Sequence, residues 1–251
     1  VRKAGRKSMR LRNSGSLRRS GLHESASRKQ FVREWVKLPS AWILNGGLRQ
    51  FGGTEARAPE EAEALRLLVC ISLMADQEAA SPSTSRGSAS ISYTQFCRMT
   101  GASRLLVAKG LRRLVAARLV TVDESCKAHA YGFGGYDGGR WAKVPRGYLC
   151  VEDGSTRLAE LSLRYPATLD AMKIYLLLLA LRSRETGTAQ VGHAAIEKYT
   201  GISPKDISPA ISVLVVHRLV GVARNDPRTG HAQNIANHYI IAGLQARGAY
   251  T

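Results

Sequence analysis

The chain repeats itself. Ile91 to Val122 (ISYTQFCRMTGASRLLVAKGLRRLVAARLVTV) aligns without a gap on Val191 to Val222 (VGHAAIEKYTGISPKDISPAISVLVVHRLVGV), 100 residues later. Nine positions are identical, among them Thr100/Thr200, Gly101/Gly201, Ser103/Ser203, Leu114/Leu214 and Arg118/Arg218. Upstream, ALRLLVCISL from Ala64 matches AMKIYLLLLA from Ala171, and further upstream Trp35 to Ile43 matches Trp141 to Leu149. Three blocks recurring in one order restrict the chain to two copies of one domain of about 105 residues, a usual domain size.

The local signals say what each copy is. Pro59, Glu60 and Glu61 mark the start of a first helix, since proline suits the first helical position and acids favour the positive end of the helix dipole. Ser92 and Gln95 have capping-box spacing for a short second helix, which stops at Thr100-Gly101, where glycine can turn left-handed. Ser103 caps a third helix whose Val107, Leu111, Leu114 and Val115 recur on one face, and Leu119 to Val122 reads as a strand. A Gly-rich stretch, Tyr131 to Gly139, then leads to a second short run, Trp141 to Val144, and the two runs are expected to form a hairpin. In the second copy Thr168 is expected to cap the first helix, His193 to Thr200 is the second, and the third runs to about His217. Leu219 to Ala223 and Asn237 to Ile241 form its hairpin through Asp226 to Gly230. The fold class expected is mainly α with small β-hairpins: two tandem winged helix-turn-helix domains related by internal duplication. The domains are residues 31–145 and 146–251, preceded by a basic arm, residues 1–30.

Charge points to the partner. Lys and Arg number 37 against 19 Asp and Glu, a net of +18, and a field of that sign attracts polyanions, nucleic acid first among them. Residues 1–30 hold ten bases and one acid, with no apolar period, and read as a disordered arm; a solubilising or processed leader stays open as the alternative. No apolar block follows the basic start, and the longest apolar run, Ile174 to Leu181, is far below the roughly 18 residues of a membrane span, so neither a signal peptide nor a membrane location is expected.

In a helix-turn-helix the third helix enters the major groove. With Val107, Leu111 and Leu114 turned inward, the outward set of the first copy is Ser103, Arg104, Leu105, Ala108, Lys109, Arg112 and Arg113. Arginine can fork onto guanine, and Lys or Arg on phosphate fix register; a solvated basic face is the plain alternative. The second copy is poorer in charge, offering Lys205, Ser208 and Ser212. Its Pro209 either kinks the helix or restarts it with Ser208 as cap. Arg224 and Arg228 flank the hairpin turn and suit either DNA contact or an ordinary solvated turn. Trp35, Trp42, Trp141 and Tyr148 recur at repeat spacing and are expected to pack their segments onto each domain's core. Tyr131, Phe133 and Tyr136 fit base stacking and packing equally.

Cys70, Cys97, Cys126 and Cys150 are far apart, with no histidine at ligand spacing, so no zinc site, disulfide framework or other metal site is indicated. There is no Walker A loop, no G-x-S-x-G and no H-E-x-x-H. An enzyme is not expected, nor a cofactor.

From Ser92 to Val122 and from Gly192 to Val222 the chain resembles the plasmid-type replication initiators, which carry two winged-helix domains. The resemblance covers residues 31 to about 245 and is one of architecture. It implies binding of double-stranded DNA at repeated origin sites, a homodimer formed through one winged helix, host replication proteins as partners, and a cytoplasmic, nucleoid-associated location. In that family the C-terminal winged helix is usually the main reader, whereas here the N-terminal third helix is the more basic. A transcriptional regulator with the same DNA contacts, and a protein-interaction scaffold like the tandem winged-helix subunits of chromosome-condensation complexes, also fit the residues.

Overall fold

The computed structural model of the chain describes residues 34–52, 54–78, 87–123, 129–134, 139–223 and 237–244, all within one unit spanning Val32–Thr251. The basic arm lies outside these residues, as do Cys126, Tyr136, Arg224, Arg228 and His231. In chain order the elements are β1 (Val36–Pro39), α1 (Ala41–Leu44), α2 (Ala58–Glu78), β2 (Ser88–Ser90), α3 (Tyr93–Thr100), α4 (Arg104–Ala116), β3 (Val120–Asp123) and β4 (Ala130–Phe133). There follow β5 (Trp141–Val144), α5 (Arg146–Leu149), α6 (Ala167–Leu181), β6 (Thr188–Val191), α7 (His193–Thr200), α8 (Pro204–Val216), β7 (Val220–Ala223) and β8 (Asn237–Ile241). One-turn 3-10 helices stand at Gly47–Gln50, Glu55–Arg57 and Arg157–Glu160. The chain is mixed α/β with three small antiparallel sheets, ordered β1-β5, β2-β4-β3 and β6-β8-β7. The sequence of helix, strand, helix, helix, strand, strand thus occurs once in residues 34–134 and again in residues 139–244.

The long helices α2 and α6 are the axis of the core. From Glu61 to Leu73 every residue of α2 is buried, and α6 is buried from Ala171 to Leu179. Each is mostly apolar and buried on all sides because each is enclosed: α2 packs on α4, β2, α3 and α6, and α6 on α8, α7 and β5. Where α4 crosses α2, Gly110 meets it without a side chain: a Cβ there would fall 2.7 Å from Leu67 Cδ1 and 3.1 Å from the Ala64 nitrogen. The second half carries Ala210 at the matching place.

Helices α4 and α8 end in the same way. Arg118 and Arg218 each take φ 56, and Leu119 and Leu219 donate to the carbonyls of Leu114 and Leu214 while Arg118 and Arg218 donate to those of Val115 and Val215. This is a Schellman turn with arginine in the left-handed position. It delivers the chain straight into β3 and β7.

Several expectations are corrected. The first hairpin closes on β4, within the segment read as a Gly-rich loop, and not on Trp141–Val144. Tyr131 turns inward from β4 to 2% exposure and meets Phe96 edge-on at 5.1 Å, which gives that short run the buried side chain a strand requires and makes Tyr131 a core residue. Trp141–Val144 pairs with β1 because Ala142 and Val144 are buried on the same side as Val36 and Leu38. Trp35 and Trp141 therefore do not enter the core: they stack on each other at 5.5 Å and 2° on the outer side of that ribbon. Trp42 does pack as expected, against Phe51. Thr168 is no cap, since α6 starts at Ala167 and the Thr168 hydroxyl donates to the Ser162 carbonyl. Val115 is 44% exposed, one residue off the buried stripe. Strands β2 and β6, only three and four residues long, carry too little pattern to be read beforehand.

The halves exchange segments. The 3-10 helix Gly47–Gln50 packs on α7, and Arg157–Glu160 packs on α3. Arg49 donates to the Lys198 carbonyl and the Thr156 hydroxyl to the Met99 carbonyl at 2.7 Å.

Gly110→Ala should destabilise the chain by about 1–3 kcal/mol through overpacking of α4 on α2, read as a lower urea midpoint with unchanged m-value.

Candidate nucleic-acid interface

The helix pair α3–α4 is fixed by polar contacts that the sequence encodes locally. Ser92 Oγ accepts from the Gln95 amide, Gly101 turns the chain at φ 70, and Ser103 Oγ accepts from the Leu106 amide. The Thr100 hydroxyl donates to the Phe96 carbonyl and accepts from the Ala102 amide. In the second half Thr200 bonds Ile196 and Ile202 in the same way, and Gly201 also takes φ 70.

Behind each turn stands a buried cation on the central helix. Arg66, 2% exposed, donates to the Thr100 carbonyl at the end of α3 and to the Leu161 carbonyl of the other half. Lys173, 107 residues on, donates to the Thr200 carbonyl at the end of α7. Each cation satisfies a carbonyl left over at a helix C-terminus and opposes the negative end of its dipole. An acid stands three residues before each: Glu63 lies 3.8 Å from Arg66, and Asp170 occupies the matching place before Lys173. Burial pushes the Glu63 carboxyl up to about 7 although Arg66 is beside it, and burial also raises Asp170 and lowers Arg66 and Lys173. Both Glu63 carboxylate oxygens are buried without a hydrogen-bond partner. Sequence reasoning singles out none of Arg66, Asp170 and Lys173, and takes Glu63, with Glu60 and Glu61, only as a helix-start acid. The signal available was the 107-residue offset, which sets Glu63 on Asp170 and Arg66 on Lys173 inside otherwise apolar runs.

The outward set of α4 divides in two. Ser103, Arg104, Leu105 and Arg112 are exposed, Leu105 to 66%, and Ala108 is half-buried. Arg104 lies over the Tyr93 ring at 5.3 Å, and Arg112 donates to the Ala108 carbonyl. Lys109 and Arg113, expected to face outward, turn to the start of α2. Lys109 is ion-paired with Glu60. Arg113 Nε bridges both Glu61 oxygens at 2.8 and 2.9 Å, its Nη2 donates to the Gln50 carbonyl, and its guanidinium lies 4.6 Å from the Phe51 ring. The reason is the crossing of α4 on α2, which brings Glu60 and Glu61 beside that edge of the helix. Exposed Arg118 follows at the turn, so the cations open to solvent here are Arg104, Arg112 and Arg118.

Along α8, Lys205, Ser208 and Ser212 are exposed, with the Ser212 hydroxyl donating to the Ser208 carbonyl at 3.0 Å. Pro209 neither breaks the helix nor restarts it: α8 starts at Pro204 after Ser203 and runs through Pro209, which sits on the exposed side. The lost amide bond leaves a carbonyl facing water rather than a buried one. α8 exposes the places that α4 does and also Ser208 and Pro209, where Ala108 and Lys109 are half-buried; Ser212 stands for Arg112 and Val216, 75% exposed, for Ala116. Arg224 and Arg228 lie outside the described residues. Among the described residues no group of three metal-ligating side chains comes together, and no helix is long and apolar enough to cross a membrane.

No protein-family model matches this chain, and no curated protein matches it either.

Two outcomes test this geometry. Arg113→Ala strands Glu61, whose side chain is 7% exposed, and should cost about 2–3 kcal/mol in denaturant titration, whereas exposed Arg112→Ala should stay within about 0.5 kcal/mol. Glu63 titrates near 4.5 when unfolded and near 7 when folded, so the native state binds the extra proton between those values. Its share of stability is fullest below the window and falls as pH rises through it. From about pH 5 to about pH 8, Glu63→Gln should therefore gain on the parent chain by on the order of 2–3 kcal/mol.

Proposed function

We propose that this chain binds double-stranded DNA sequence-specifically through two winged helix-turn-helix halves related by internal duplication, and that it initiates replication of a plasmid or an integrated mobile element. The observation that carries the reading is the exposure shared by α4 and α8, helices that each follow a left-handed glycine turn and both open their first turn and the matching positions Arg112 and Ser212 to solvent. On α4 those positions hold Arg104 and Arg112, which suit guanine edges and phosphates. On α8 Pro204 and Ser212 stand there, and the exposed polar groups are Lys205, Ser208 and Ser212, one cation and two hydroxyls suited to weaker readout.

The duplication is supported by the central ribbon. β1 and β5 pair so that Lys37 faces Lys143, its own counterpart 106 residues on, as strands related by a local two-fold axis do. One chain then offers two unlike reading helices in the manner of a symmetric dimer, and the site it reads has two unlike halves. The initiator role rests on the architectural resemblance together with this paired arrangement.

Arg104→Ala and Arg112→Ala should each weaken binding to the cognate duplex by about 1–3 kcal/mol where they meet bases, or lower the salt slope by about 0.9 where they meet phosphate. Lys109→Ala should do clearly less, because Glu60 already neutralises it. Unchanged affinity and salt slope in the Arg104→Ala/Arg112→Ala double variant would end the duplex-binding reading. Footprinting of bound sites in cells tests the role: clustered direct repeats beside an origin support initiation, and single operators upstream of genes overturn it in favour of regulation.

A further inference from the structure

The outer side of the β1–β5 ribbon is built unlike the rest of the surface. Its inner side is apolar and buried, through Val36, Leu38, Ala142 and Val144. Its outer side carries Trp35, Lys37, Trp141 and Lys143. The two indoles stack in parallel, the Lys143 ammonium lies 4.5 Å from the Trp35 ring, and the Lys37 ammonium lies 5.1 Å from the Trp141 ring. Beside them opens a groove of about 500 Å³ whose lining includes Arg140, Lys143, Arg182 and Arg184 and, among the described residues, no carboxylate. The Arg184 guanidinium reaches to 5.9 Å from the Trp141 ring. Arg182 Nε is buried without a hydrogen-bond partner, and its guanidinium is destabilised by burial and by the neighbouring charge of Arg184.

Cations crowded together with a buried, unused N–H donor are unfavourable by themselves. By the repeat offset Glu34 stands for Arg140, and Ala75 and Gln77, inside α2, stand for Arg182 and Arg184, which follow the end of α6. These positions sum to −1 in one half and to +3 in the other, at a place where aromatic rings are half-exposed.

We propose that this groove is a second nucleic-acid site, separate from the α4 face, and that it takes a single strand. Arg140, Lys143 and Arg184 hold successive phosphates, and the half-exposed edge of the Trp35–Trp141 stack meets the unpaired bases. Interleaved aromatic and cationic side chains are what a single strand engages. A duplex keeps its bases stacked inside and would leave the indoles unused.

The test uses the full chain and oligothymidylate of about 12 nucleotides, followed by fluorescence anisotropy and by intrinsic tryptophan emission in a Trp42→Phe background, where the remaining indoles are Trp35 and Trp141 of this groove. Binding should change the emission, and the Arg140→Ala/Arg184→Ala double variant should weaken oligothymidylate by about tenfold and lower its salt slope by about 1.4, two phosphate contacts at about 0.7 each. That variant should leave duplex affinity unchanged, with its circular dichroism as the check on folding. The Arg104→Ala/Arg112→Ala variant should behave in the opposite way, so failure of the duplex reading and failure of this one are told apart. Oligothymidylate binding that is indifferent to the Arg140→Ala/Arg184→Ala change, saturation without any change in emission, or an equal loss of duplex and single-strand affinity would each overturn the proposal.

Discussion

Arg66 and Lys173 are cations held inside apolar helices, and each is there because a helix C-terminus needs a donor. The last carbonyls of α3 and α7 cannot be satisfied within their own helices once the chain turns at Gly101 and Gly201, and the central helix is the nearest element with reach. The position of the turn, and with it the angle at which α4 or α8 leaves, is thereby referred to α2 or α6 rather than to the surface. Arg66 goes further and also binds the Leu161 carbonyl, so one guanidinium ties the first turn, the central helix and a segment of the second half together.

The same economy governs the charged face of α4. A helix crossing on Gly110 lies so close to α2 that its flank comes within reach of Glu60 and Glu61. Two of its four cations are consumed as structural partners, which leaves Arg104 and Arg112 facing solvent and separates stability from surface charge along a single helix. The α8 face lacks both the acids and the arginines. There Pro209 and Val213 stand where Lys109 and Arg113 stand on α4.

Much of this was legible in the sequence wherever a signal is local or repeated. The caps Ser92 and Ser103, the turns at Gly101 and Gly201, the buried stripe Val107, Leu111 and Leu114 and the strand Asn237–Ile241 follow from spacing alone. What escaped depends on contacts distant in the chain. The partner of Trp141–Val144 lies more than a hundred residues away, at Val36–Pro39, and the nearer run Leu119–Val122 was an equally good match by pattern. The direction of Lys109 and Arg113 is set by how α4 crosses α2, which periodicity does not give. Glu60 and Glu61 were read as helix-start residues, and so they are, but that reading left their second role unseen.

The exchange of segments between the halves has a consequence for dividing the chain. Gly47–Gln50 packs on α7 of the second half and Arg157–Glu160 on α3 of the first, so neither half carries all of its own support. A cut between them would open the β1–β5 ribbon and uncover the sides on which α2 and α6 meet. Two halves alike in the order of their elements thus depend on each other as one body.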